Sequence, residues 1–585
     1  MGTISDKLMR IINTKEDIRQ ALISKGYDVP TSIPFKEYAK MILDLPCNAD
    51  SSPDIEGIVA RYSASGLTNE QMAANPVWVD KTGNGHDLQM KNFAWGGMSG
   101  VGGYEMNFNL WTNNVPSIPD ISMSTTTTSV SVSVGNSTYN NNLIYIHMNN
   151  WDVNKNHWLK VTSTYEDGDL VFKFYNDNNS KNIELPANGY VNIPAYPEFK
   201  GNYMYISTTS NKQGSFTIEQ LPLYPGALVF DGVDDYGVCN NFPILTKEKG
   251  YTVVALRQWI TRGEGALGLV SNVKNWLKDG AFLLEYRNIQ ADHLNKPISF
   301  GAIGSEMDLP HILTYQTSKS YNGVSITTGN FEGTDVLHVG KLAPTDVGTC
   351  INAAIWELVF LDHDATEEEL TKIKDYFVKT YPWLFPDQAW TVTGKTNEDE
   401  DRATIANITG NGNDLVLSNF GFAEGSGYNE EGEYAGYLVT DGVDDKIVSS
   451  IFEMGKDFTV VGEWTLLQNI NVSSLGKQSS FIVRNNDLGL SLFINRISHA
   501  ALIHTKSLRA FCSNGVLYKS DWTEQIDTTP QDITSSNSEL LIASHYDNKS
   551  EYDKIAFKNL AIYPTVLSRE DCIKAYNYLQ TLKAK

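Results

Sequence analysis

The chain is poor in cysteine and in basic charge, and it has no long apolar run. Its five cysteines in 585 residues (Cys47, Cys239, Cys350, Cys512 and Cys572) are odd in number and widely spaced, with no Cys-x-x-Cys. That spacing suits neither a disulfide scaffold nor a zinc site, and folding in a reducing cytoplasm is the simpler expectation. The 46 basic residues are outnumbered by 69 acidic ones, for a formal charge of −23. A nucleic-acid partner is therefore not expected, because binding phosphate needs a basic face. No apolar stretch reaches the ~18 residues of a membrane-spanning helix, so no membrane span is expected. The opening MGTISDKLMR lacks the apolar core of a secretory signal, and Asp6 breaks the myristoylation pattern. Catalytic signatures are scarce too. The ten histidines are scattered with no His-Glu-x-x-His, and there is neither a Gly-x-Ser-x-Gly elbow nor a phosphate loop. Paired carboxylates for glycoside cleavage leave no spacing signal, since they need not be near in the chain. The expectation is a protein that is not an enzyme, with no catalytic residue, no resident metal and no cofactor.

What the chain does have is 29 Tyr, 12 Trp and 45 Gly, the make-up of a β protein with many tight turns. It also has an internal repeat. Leu67-Thr68-Asn69-Glu70 and Thr82-Gly83-Asn84-Gly85-His86-Asp87-Leu88 return as Lys395-Thr396-Asn397-Glu398 and Thr409-Gly410-Asn411-Gly412-Asn413-Asp414-Leu415. Asn92-Phe93 returns as Asn419-Phe420, and Asp231-Gly232-Val233-Asp234-Asp235 as Asp441-Gly442-Val443-Asp444-Asp445. Ala354 to Phe360 matches Ala556 to Ile562, and each copy then enters a capped helix near Thr366 or Ser568. Alternating segments such as Tyr251 to Leu256 and Phe458 to Trp464 lie between turn signals. That rhythm predicts antiparallel sandwiches or jelly rolls.

The offset between copies is 327 at Asn84 and Asn411 but 210 at Asp231 and Asp441, so the first copy holds about 117 extra residues. These are rich in Ser, Thr and Asn, and they predict a small β domain hung on a loop. Within it, Leu159 to Tyr165, Glu166-Asp167-Gly168-Asp169 and Leu170 to Tyr175 read as a hairpin.

Residues 1–46 carry helical spacing: Ile4, Leu8, Ile11 and Ile12; then Ile18, Ala21 and Leu22 between a Thr14 cap and Gly26; then Phe35, Tyr38, Ala39 and Ile42 after Pro34. Three helices of this size bury too little surface to stand alone, the limit being on the order of 40 residues. They are expected to dock or oligomerise the chain through Leu8, Ile11, Ile18, Leu22, Phe35 and Tyr38, or else to cap the next domain. No heptad run marks a trimeric stalk.

The Thr-Gly-Asn-Gly and Asp-Gly-Val-Asp-Asp motifs supply left-handed turn backbone. Three carboxylates in five residues admit Ca²⁺, but no sixth-position Gly or downstream Glu completes a calcium loop. Asp side chains bonding their own turn is the simpler reading. Among aromatics that stack on sugars, the first copy offers Trp78, Trp95 and Trp259, and the extra segment offers Trp111, Trp151, Trp158 and Tyr190. In a sandwich, such rings more often belong to cores.

On the paired acidic turns, the upstream Thr-Gly-Asn-Gly turns and the closing helices, the sequence resembles laminin-G-like, concanavalin-type lectin modules. The resemblance implies two antiparallel sandwiches; with the inserted small β domain and the short N-terminal helical segment read above, the expected fold class is mainly β. The divisions expected are 1–46, then 53–384 interrupted by 110–224, then 387–585. The family's ligand loops vary, so no binding residue is carried over. Gly394 to Arg402 with Gly410 to Leu415, and Asn13 to Leu22 with Val29-Pro30, Pro34-Phe35 and Tyr38-Ala39, look like virion proteins of phages that infect Bacteroides, the crAss-like phages among them. That resemblance implies a virion structural protein made in the host cytoplasm, most simply a head or tail fibre. Its partners would be other virion proteins (capsid, collar or tail), copies of itself as dimer or trimer, and host-surface glycan. The alternatives are a purely structural capsid decoration protein or a capsule-degrading depolymerase.

Overall fold

The computed structural model describes residues 52–584 apart from 114–120, 136–145, 149–150, 154–156, 177–178, 194–195, 200–202, 209–212, 262–267, 273–281, 286–312, 326–332, 343–349, 433, 468–480, 486–490, 494–507, 514–515, 520–521, 527–535, 544–551 and 553. The six expected anchoring residues, Leu8, Ile11, Ile18, Leu22, Phe35 and Tyr38, lie outside the described residues, as does Cys47. The other four cysteines are buried free thiols.

The fold is mainly β, and its sheets are antiparallel β-sandwich layers. Period-two alternation sets the outer layers. Leu88–Lys91 turns Leu88 and Met90 inward and Gln89 and Lys91 outward, and Leu415–Ser418 repeats the pattern. The central strand Thr252–Trp259 is buried at all eight positions, because its sheet is covered on both faces.

In the first copy an eight-stranded sheet is centred on Thr252–Trp259 and Asn352–Leu361, with Ile58–Ser63 paired to the latter. It faces a six-stranded sheet that includes Tyr236–Cys239 and Leu88–Lys91. The second copy repeats this with Thr459–Leu466 and Ile555–Tyr563 facing Leu415–Ser418 and Lys446–Ser449. Both central pairs carry a register shift at the same place, between Leu256 and Arg257 and between Glu463 and Trp464. Tyr62, Trp78, Phe230 and Phe360 help fill the first core, and Trp390, Phe458, Trp464 and Phe557 the second.

Among the described residues, three α-helices accompany the sheets. Helix α1 (Asn69–Ala74) is capped by Thr68 with Gln71 and falls where the sequence showed only a repeat motif. Helix α2 (Glu367–Thr380) has the expected capping box of Thr366 and Glu369, and α3 (Arg569–Gln580) is capped by Ser568. Both closing helices lie on the outer faces of the eight-stranded sheets. There a continuous cluster runs from Trp356 and Phe377 of the first copy to Trp522, Tyr563 and Leu579 of the second. Each large apolar side chain so buried contributes roughly 1.5–3 kcal/mol, so the two sandwiches are held back to back.

The extra segment of the first copy forms sheets of its own. A five-stranded sheet runs Asn188–Ile193, His157–Ser163, Gly214–Gln220, Ser129–Val134, Ile121–Thr125, and a three-stranded one runs Asn179–Leu185, Leu170–Asn176, Tyr203–Thr208. The expected 159–175 hairpin is corrected here. His157–Ser163 pairs with Asn188–Ile193 and Gly214–Gln220, whereas Leu170–Asn176 belongs to the other sheet. Leu159 and Val161 meet Leu170, Phe172 and Phe174 in one core from opposite sides. The acidic turn between them therefore arches from sheet to sheet.

Candidate ligand cleft

The repeated motifs are placed alike in both copies, and they hold backbone. Asn69 Oδ1 accepts from Val101 N at 2.7 Å while its Nδ2 donates to Val101 O at 3.2 Å. Asn397 clasps Tyr428 in the same way, at 2.8 and 2.7 Å. The adjoining Gly100 and Gly427 have φ of +147° and +155°, and an added Cβ on either would strike that asparagine oxygen.

The acidic turns close on themselves. Asp231 Oδ1 accepts from Val233 N at 2.8 Å, and Asp235 accepts from Asp231 N and the Ser99 hydroxyl, each at 3.1 Å. In the second copy Asp441 accepts from Val443 N at 2.7 Å, and Asp445 from Asp441 N at 2.7 Å and Ser426 Oγ at 3.0 Å. The carboxylate oxygens of each triad lie within 4.8 Å of one another, close enough to share a cation. Burial raises the Asp235 carboxyl to about 7 and the Asp445 carboxyl to about 6, against the lowering pull of their hydrogen bonds.

Five of the seven singled-out aromatics are taken up by cores. Trp78 donates to Ser63 O, Trp259 donates to Glu285, and Trp111 and Trp151 sit in the core of the extra segment. Trp95 is half-buried, stacked on Phe93 at 4.7 Å. The other two, Trp158 and Tyr190, share the outer face of the five-stranded sheet. Tyr190, Lys160 and Glu219 are register partners in one row across three strands, and Trp158 lies two residues before Lys160.

This face meets α3 of the second copy. Trp158 packs edge-on to Tyr576 at 5.1 Å, and the Arg509 guanidinium lies 5.4 Å from each ring. Beyond this contact the surfaces part into a cleft of about 550 Å³, within the ~300–1,000 Å³ range of small-ligand sites. One wall is the Tyr190–Lys160–Glu219 row, another is Arg569, Ile573 and Asn577 of α3, and Pro222 and Pro225 close a third side. The helix presents its residues by the 3.6 period, with Ile573 and Asn577 a turn apart on one face. Lys160 Nζ is 2.9 Å from Glu219 Oε2, a hydrogen bond that holds the ammonium above its ordinary range. A second cavity of about 420 Å³, lined mainly by aliphatic groups such as Val378, Ile408 and Leu582, lies where α2 and α3 meet residues 384–387, which join the two copies.

Of the seven aromatics singled out in the sequence, then, the cleft gathers Tyr190 alone, and Trp158 lies in the neighbouring contact with Tyr576. Lys160, Glu219, Arg569 and Asn577 were not singled out as site residues. Arg569 follows directly on the Ser568 cap, and 379 positions separate it from Tyr190 (569 less 190).

No family model and no curated protein matches the chain. Solved structures do. It is similar to a Trypanosoma rangeli sialidase in complex with sialic acid, at 10% identity and a TM-score of 0.20, over 79% of this chain and 84% of that one. It is similar also to the binding domain of botulinum neurotoxin serotype G, at 10% identity and a TM-score of 0.17, over 87% of this chain and 98% of that one. The expectation that the chain is no enzyme is corrected by these neighbours. Sialidases are enzymes, and the lack of a catalytic motif in this sequence is by itself no ground for excluding activity. A likeness this distant assigns no reaction to this chain.

Proposed function

We propose that the chain is a structural protein of a phage particle, a head or tail fibre, that displays its fused sandwiches toward the host and binds a surface glycan in the cleft between the extra segment and α3. The cleft carries the recognition half of this reading. It sets a half-buried Tyr190 ring beside amide, ammonium, guanidinium and carboxylate groups, and such a set both stacks on and hydrogen-bonds a sugar. The virion half is supported by the resemblance of residues 13–39 and 394–415 to Bacteroides phage virion proteins. Residues 1–46 would then dock the chain on capsid, collar or tail proteins or on copies of itself.

Two measurements test the reading. The recombinant chain on a glycan array should retain a defined set of saccharides, and Tyr190→Ala should lose them; an array blank for the intact chain removes the recognition half. Mass spectrometry of purified particles should find the full chain and miss one lacking residues 1–46. Particles that incorporate both equally would overturn the docking role.

A further inference from the structure

The charge of the cleft does not match the charge of the chain. The whole carries −23, yet among the described residues Lys160, Arg569 and Lys574 line the cleft against Glu219 and Glu570. Two of these cations are already neutralised. Lys160 is paired with Glu219 at 2.9 Å, and Lys574 with Glu570 at 3.0 Å and Asp571 at 3.4 Å. Arg569 is different. Its guanidinium carbon lies 5.8 Å from the centroid of the Tyr190 ring, and no carboxylate of the described residues is paired with it. A guanidinium resting on a ring keeps its planar fork of N–H donors free at the edge, the geometry that matches a carboxylate with two parallel hydrogen bonds.

The geometry points to an acidic saccharide as the ligand, a hexuronate-type residue with its carboxylate on Arg569 and its ring against Tyr190. The inference rests on the glycan-binding reading of the cleft and names the sugar class. The roles divide by chemistry. Arg569 reads the charge, Tyr190 supplies the apolar face, and the Lys160–Glu219 pair offers one donor and one acceptor to ring hydroxyls. Arg569 is exposed in the first turn of α3, so replacing it leaves the cores intact.

The test is calorimetric titration of the full chain with a glucuronate-containing hyaluronan tetrasaccharide and with neutral maltotetraose. The expected result is binding of the acidic sugar at least tenfold tighter than of the neutral one. Arg569→Gln should remove that preference, Arg569→Lys should keep part of it, and Tyr190→Ala should weaken both sugars. Free D-glucuronate should compete on the unaltered chain where D-glucose does not, a readout that needs no variant. Equal binding of both sugars, or an acidic preference that survives Arg569→Gln, overturns the acidic class and leaves glycan recognition standing. Failure of every saccharide on the array and in titration overturns both.

Discussion

At one register pair the two sandwiches bury a carboxylate on opposite strands. In the first copy Leu256 stands opposite Glu357; in the second Glu463 stands opposite Asn559. Glu357 is served by its own module. Arg61 Nε lies 2.6 Å from it, and the hydroxyls of Tyr376 and Tyr381 donate to it at 3.1 and 2.8 Å. The second copy has Ala389 at the place of Arg61, and Glu463 turns instead to Tyr437 and to Lys558 at 3.7 Å, with Arg509 and Tyr576 beyond. Tyr576 and Arg509 are also the groups that receive Trp158. One buried charge therefore closes a module on itself, and the other ties its module to the extra segment. Clasps that hold backbone were kept through the duplication, while the charges under the helices were reassigned.

The largest break in this comparison should come from Arg61→Met, which leaves Glu357 buried without its cation. Removing one partner of a buried pair costs about 3–5 kcal/mol, whereas replacing both with apolar groups is near neutral. Urea unfolding should show a much lower midpoint for Arg61→Met and recovery in Arg61→Met/Glu357→Leu. An Arg61→Met midpoint equal to that of the unaltered chain would mean the pair does not hold the first module.

Next come the shared clasps. Asn69→Ala and Asn397→Ala each strand a backbone N–H and C=O, at about 1–3 kcal/mol for the buried groups left unmet. The two losses should be alike by the same measurement, and a large inequality would show that the copies do not use this motif equally.

Trp158→Ala sharpens the contrast at smaller cost, about 1–2 kcal/mol for the lost ring and cation contacts. Hydrogen exchange should speed up in α3 and stay unchanged in α2. Equal change in both helices would contradict docking on the second copy alone.

The last contrast is with pH. Asp235 and Asp445 have folded-state carboxyls raised from the ordinary 3.8 to about 7 and about 6. Stability from holding the proton is fully present below 3.8 and is lost as pH rises through those values. The melting temperature should therefore rise on acidification from pH 8 to 5. Asp235→Asn should flatten the upper part of that rise and Asp445→Asn the lower part. An unaltered profile in both variants would show that the turns do not titrate in this window.

Local sequence determined a good deal. The paired Gly83 and Gly85, and Gly410 and Gly412, take the left-handed backbone that their turns announced, because few other residues reach it cheaply. Thr366 and Ser568 cap the helices they precede, since a cap is settled within four residues. Alternation announced sheets, and the repeat announced two copies of one plan. What went wrong or unseen was decided at long range. The 159–175 arch looked like a hairpin because period two shows which face is buried and not which strand lies alongside. The cleft was out of reach for the same reason. Tyr190 faces outward by alternation, but only the packing of an extra segment of the first copy onto a helix of the second brings Arg569 beside it, and contacts between distant segments leave no period in the chain.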